Sequence, residues 1–116
     1  RELKPEIVLT HTELDSHQDH REIAYASKAA FRDVPQVLLY RSYSALKEFQ
    51  PHMIIDGSQT LLAKKLAALA RHKSQKDKIN NEVVRSTAIF YGSMIYGNKK
   101  KINYAEPYAT NHYTIL

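Results

Sequence analysis

Ile7-Val8-Leu9-Thr10-His11-Thr12-Glu13-Leu14-Asp15-Ser16-His17-Gln18-Asp19-His20-Arg21 is the stretch whose reading decides the fold. It opens on a short apolar run, so residues 6–10 read as a buried strand. Beyond it, Ile23, Ala24, Ala26, Ala30 and Phe31 recur at helical spacing, which predicts a helix over residues 19–31. Strand, polar loop and helix follow one another, and in α/β proteins such loops lie at the carboxyl ends of strands, where ligands bind. The loop carries three imidazoles, His11, His17 and His20, and three carboxylates, Glu13, Asp15 and Asp19.

Outward from this stretch the alternation continues. Pro35 ends the helical element, because proline lacks the amide hydrogen and restricts the residue before it. Residues 37–40 read as a second strand, and residues 43–49 fit either a loop or one helical turn. Residues 53–55 read as a third strand, closed by Asp56-Gly57. Ser58 is a good N-cap, and the helix after it runs through Leu61, Leu62, Leu66, Leu69 and Ala70. Residues 76–78 form a charged break. Asn80 or Asn81 caps a third helix containing Val83, Val84, Ala88, Ile89, Tyr91 and Ile95, with Gly97 as its terminator. Residues 102–108 read as a last short strand.

Strands separated by helices imply parallel pairing with crossovers. The expected class is α/β, a Rossmann-like, partly parallel sheet with flanking helices. Three or four strands make a narrow sheet, so residues 1–116 are expected to form a single α/β unit that is the carboxyl-terminal half of a larger domain. An exposed sheet edge favours association, including homo-oligomerisation.

Composition bounds the function classes. With 116 residues the chain holds one domain at most, and 43% apolar and 25% charged residues are ordinary for a globular protein. No cysteine is present, so disulfides and thiolate metal sites are excluded and any metal must be held by His, Asp or Glu. No apolar run approaches the roughly 20 residues of a membrane-spanning helix. Residues 1–5 do not resemble a signal peptide, and a cytoplasmic location is expected. The net charge of +5 rests partly on Lys99-Lys100-Lys101. That patch is short and lacks interleaved aromatics, so it reads as a solvated turn and predicts no specific nucleic-acid partner.

His17 and His20 are the densest chemical signal. With a helix starting near Asp19, His20 sits on its first turn and His17 just before it, so both can converge on one point. Imidazole is the commonest metal-binding side chain. A hydrolytic zinc site uses three protein ligands and an open position. The competing reading is a solvated helix start, in which Asp19 is favoured by the helix dipole. His11 and Asp15 add donors without defining a full ligand set.

Residues 10–21 resemble the second signature of the zinc-dependent N-acetylglucosaminyl deacetylases of the LmbE/PIG-L family, Asp-x-His-x-Asp-His-Arg at a helix start. Three further stretches resemble that family in the same order: residues 49–58, a strand ending in Asp before a helix; residues 64–75, a Lys-x-x-Ala-Leu-x-x-His-x-Ser-Gln helix; and residues 104–108, a Tyr-Ala-Glu-x-Phe-like end. The resemblance implies that His20 is a zinc ligand. It implies that His17 stabilises the tetrahedral intermediate or protonates the amine, with Asp19 orienting it. Asp15 and His11 would shape the pocket. The implied reaction removes acetate from an N-acetylated amino sugar. The family's first signature, His-Pro-Asp-Asp-Glu, supplies two ligands and the general base, and it is absent from this chain. The isolated chain is therefore expected to be inactive, with the missing amino-terminal half provided in cis or in trans.

Other residues keep two readings. Arg21 fits an anionic part of the substrate or an ordinary surface pair. His72 fits a substrate contact or a helix end, and Glu106 an acceptor in the site or an anchor for the final segment. For the whole chain, the alternative to a metal-dependent deacetylase is a non-catalytic α/β binding module with an incidental His cluster.

Overall fold

The computed structural model describes residues 3–95 and 102–114. The elements follow in the order β1 (Ile7–His11), α1 (Gln18–Ala30), β2 (Gln36–Tyr40), β3 (Met53–Gly57), α2 (Gln59–Ala70), a 3-10 turn (Lys73–Gln75), α3 (Asn81–Gly92) and β4 (Tyr104–Tyr113). The four strands form one mixed sheet in the order β1-β2-β4-β3, flanked by the three helices, an α/β fold.

The chain divides into two compact units. The first comprises residues 1–53 and 107–116, the second residues 54–106. In the first, β1 pairs with β2 in parallel, with Leu9 opposite Leu38 and His11 opposite Tyr40. The crossover between them is α1, as a parallel pair requires. β1 is an edge strand, and Ile7 and Leu9 on it are about half exposed. β2 pairs antiparallel with β4, and the register shifts between Val37 and Leu38. At that irregularity Thr110 Oγ1 donates to the Val37 carbonyl at 2.7 Å, and the Thr110 amide donates to His52 Nδ1 at 3.0 Å. The buried apolar residues of this unit are Ala24 of α1, Val37 and Leu38 of β2, Phe49, Tyr108 and Ala109. Helix α1 is tied to β1 by a buried hydrogen bond between Thr10 and Ser27, 2.9 Å.

In the second unit, Ser58 caps α2 by accepting from the Leu61 amide at 3.1 Å. Asn80 caps α3 by accepting from the amides of Glu82 and Val83. Both caps satisfy amides that have no partner within the helix. Leu62, Ala88, Tyr91 and Ala105 form the buried core.

Two boundaries differ from the sequence expectation. α3 ends at Gly92, and Gly97, expected as its terminator, lies outside the described residues, as do Lys99 to Lys101. Gly92 allows the backbone of Asn103 to approach so closely that a Cβ would stand 1.9 Å from its carbonyl oxygen. The last strand, expected over residues 102–108, runs from Tyr104 to Tyr113, five residues beyond the expected end, and it pairs antiparallel with β2. The segment at residues 43–49 is not a helix. It is held by an isolated bridge between Asp15 and Ala45.

Candidate functional site

The loop from β1 to α1 and the loop that follows β2 leave neighbouring parallel strands on the same side, and they are stitched together. The Ser16 amide donates to the Ser44 carbonyl at 2.9 Å, and the Leu46 amide donates to the Leu14 carbonyl at 3.0 Å. Between these bonds sits Asp15, 1% exposed and the most deeply buried polar residue described.

Every acceptor position of the Asp15 carboxylate is used. Oδ1 accepts from the His17 amide at 2.9 Å and from the Ser44 hydroxyl at 2.5 Å. Oδ2 accepts from the Ser42 hydroxyl at 2.5 Å and lies 3.1 Å from His20 Nδ1. Burial by itself would raise the pKa of this carboxyl. The hydrogen bonds from Ser42, Ser44, the His17 amide and His20 outweigh it and hold the group well below the usual carboxylate range. Asp15 is therefore an anion at neutral pH, and an anionic carboxylate only accepts. The proton between it and His20 belongs to Nδ1. In the neutral ring that leaves a lone pair on His20 Nε2.

His17 stands at the helix N-cap, and its Nδ1 accepts from the Asp19 amide at 3.1 Å. A neutral imidazole that accepts at Nδ1 carries its hydrogen on Nε2. The contact with His17 that Asp19 makes here is through its amide, and its carboxylate lies in the first turn of α1, where the dipole favours it. The rings of His17 and His20 stack at 4.4 Å between centroids. His11, from the end of β1, stacks on the other face of the cluster at 4.1 Å from His20.

His11 Nε2 meets the Tyr40 hydroxyl at 3.1 Å, and among the described residues its buried Nδ1 has no hydrogen-bond partner. Burial lowers the pKa of His11 and the neighbouring His20 lowers it further; Asp15 opposes them to a lesser degree, and His17 adds the smallest lowering effect. Burial also raises the pKa of Tyr40.

Arg21 turns its guanidinium back onto the loop, donating to the carbonyls of Asp15 at 3.0 Å and Ser16 at 2.7 Å. Glu106 and His72 belong to the second unit. There Glu106 pairs with Lys65 at 2.6 Å, and His72 precedes the 3-10 turn without a side-chain cap bond.

One atom each of His11, Asp15 and His20 lie within 4.8 Å of one another, so this group has donors that could hold a metal ion. The residues differ in how they fit that task. His20 offers Nε2 with its tautomer fixed from behind by a carboxylate, the arrangement usual for a metal-ligating histidine. Asp15 has no acceptor position left. The rings of His11 and His20 lie within 10° of parallel, so their in-plane lone pairs do not meet at one ion unless a ring turns. Of the three, His20 is the one whose Nε2 could serve a metal ion without rearrangement, with Asp15 as the group behind it.

Residue chemistry pointed to the histidines and Asp15, but not to Ser42 and Ser44. Their signal is only two serines alternating across the loop after β2, which is uninformative without its three-dimensional partner. Beside His11 opens a cleft of about 290 Å³ whose lining includes Glu13, Lys28, Glu48, Gln50, His52 and Asn111.

No family model matches the chain, and no solved structure matches it. The protein of Escherichia coli (strain K12) named "Uncharacterized deacetylase YaiS" is 39% identical to it over 67 residues. That stretch is 58% of this chain and 36% of the relative, so the chain spans little more than a third of the relative's length.

Proposed function

We propose that the chain carries part of the active site of a metal-dependent deacetylase that removes the acetyl group from an N-acetylglucosamine-type amino sugar or its conjugate. The observation that carries this reading is the Asp15–His20 pair, with Nδ1 held by a buried anion and Nε2 without a hydrogen-bond partner among the described residues. The partial likeness to a protein named as a deacetylase supports the reaction class. The remaining ligands and the general base would come from residues outside these 116, in cis or in trans.

In this reading His20 holds the metal, which is zinc. When bound, zinc polarises the amide carbonyl and brings the pKa of water near neutrality. His17 presents Nε2–H beside His20 as a donor to the oxygen on which negative charge develops. Asp15 keeps the His20 ring from turning. The cleft beside His11 supplies amide, carboxylate and ammonium groups of the kind that bind sugar hydroxyls.

A second reading has an observation of its own. Asp15 is saturated and His11 is parallel to His20, so the three clustered residues do not make a three-ligand set as they stand. That favours a non-catalytic binding module with an incidental His cluster.

Acetate release from N-acetylglucosamine and its conjugates by the whole protein separates the two. Turnover that falls at least about a hundredfold in both His20→Ala and His17→Ala supports the deacetylase. Turnover unaffected by either change, or none in the zinc-loaded protein, supports the module.

A further inference from the structure

We propose that Ser42 and Ser44 are positioning residues that act through Asp15 to lock His20 in the Nδ1–H form, with Nε2 presented as the free lone pair. The inference rests on His20 being the working imidazole of the reading above, but its test does not require turnover.

The argument is a count of hydrogens. Ser42 and Ser44 have one hydroxyl hydrogen each. Ser42 gives its hydrogen to Asp15 Oδ2, and Ser44 gives its own to Asp15 Oδ1. The Ser44 oxygen also lies 3.3 Å from His20 Nδ1, and with its hydrogen already committed it can only accept there. Nδ1 is thus surrounded by two acceptors, Asp15 Oδ2 and Ser44 Oγ, and must carry a hydrogen. Ser42 is itself held, because its oxygen accepts from the Ser44 amide at 3.2 Å. The serines come from the loop after β2, whereas Asp15 and His20 come from the β1–α1 segment. The Asp15–Ala45 bridge sets the two loops in register, and the Ser16 hydroxyl adds a bond to the Ser44 carbonyl at 3.0 Å.

Without the hydroxyls, the carboxylate would keep only the His17 amide and His20 as donors. It could then rotate, and Ser44 would no longer offer the second acceptor to Nδ1. Loss of the serines should therefore release the tautomer, even where the loops stay folded. A serine that merely packs the loop would change stability and leave the tautomer alone.

The test is long-range ¹⁵N–¹H NMR of the side-chain nitrogens of His20, in the metal-free chain at a pH where the imidazole is neutral. The wild type should show the Nδ1–H form. Ser42→Ala with Ser44→Ala should shift the Nε2 and Nδ1 resonances toward the averaged positions of a tautomer mixture. Ser44→Thr, which keeps the hydroxyl, should restore the wild-type pattern. A wild-type His20 in the Nε2–H form overturns the proposal whether or not any variant folds. So does an unchanged Nδ1–H pattern in the double variant with its amide spectrum intact. If His20 is locked as described but the whole protein releases no acetate, the deacetylase reading fails and this inference stands.

Discussion

His11 and His20 lie ring over ring, with centroids 4.1 Å apart and planes 10° apart, although one ends β1 and the other opens α1. His17 extends the stack on His20, and Tyr43 meets His20 edge-on at 6.2 Å. Three imidazoles this close cannot all be protonated without repulsion. The charge that compensates them is the single carboxylate of Asp15, and it is committed to His20.

This gives a pH prediction. Burial and the neighbouring histidines lower the pKa of His11 in the folded chain. In the unfolded chain it binds its proton near the ordinary value of about 6.5. As pH falls below that value the unfolded state takes up a proton that the folded state refuses, so stability falls. The contribution is complete above the unfolded value and is lost as pH falls toward the folded one. Thermal melts between about pH 7.5 and about pH 5.5 should show a declining Tm with a shallower slope in His11→Gln. Equal slopes would show that His11 is not the group responsible.

Asp15 has the same sign at lower pH. Its carboxyl is depressed in the fold, so its contribution is present above the unfolded carboxylate value near 4 and diminishes as pH falls below it. Asp15→Ala leaves two serine hydroxyls, an amide and an imidazole without their shared acceptor. It should cost about 3 kcal/mol at neutral pH. Urea unfolding of wild type and variant at a series of pH values checks both points. The gap between the two should narrow below about pH 4, and a gap independent of pH would contradict the role of the charge.

How far the sequence could be read follows from how local each feature is. The β1–loop–α1 stretch, the Ser58 cap and the Asn80 cap depend on neighbours within a few residues, and each formed close to where the pattern placed it. β4 runs beyond the strand that the sequence predicts because Ala109-Thr110-Asn111-His112 has little strand character of its own. Its conformation comes from pairing with β2, whose residues are far away in sequence. The Ser42 and Ser44 contacts with Asp15 are illegible for the same reason, since they join loops separated by a whole βα unit. The close approach of Asn103 to Gly92, the last residue of α3, is likewise encoded in no periodicity.

That approach is testable. A Cβ at position 92 would meet the Asn103 carbonyl oxygen at 1.9 Å and its carbon at 2.4 Å, both backbone atoms that cannot swing aside. Gly92→Ala should destabilise by about 1–3 kcal/mol through overpacking. Gly57→Ala is the control, because its new methyl would meet the Tyr104 carbonyl at an ordinary 3.4 Å. Denaturant midpoints should fall clearly for the first and little for the second. Similar midpoints for both would argue against the close approach at Gly92.

The buried hydroxyl pair between β1 and α1 predicts an asymmetry. Ser27 Oγ donates to the Ile23 carbonyl at 2.7 Å, so its hydrogen is committed. Thr10 Oγ1, 2.9 Å from Ser27 Oγ, must then be the donor of that bond. Ser27→Ala leaves the Thr10 hydroxyl with an unsatisfied hydrogen in a buried position, at a cost of about 1–3 kcal/mol. Thr10→Val removes the donor itself and leaves Ser27 still bonded to its own helix, which should cost about 1 kcal/mol or less. In the double variant both partners are apolar, and it should be more stable than Ser27→Ala alone. Urea unfolding of the three variants gives the coupling directly. A larger cost for Thr10→Val than for Ser27→Ala would mean that the hydrogen bond runs the other way, and equal costs would contradict the asymmetry.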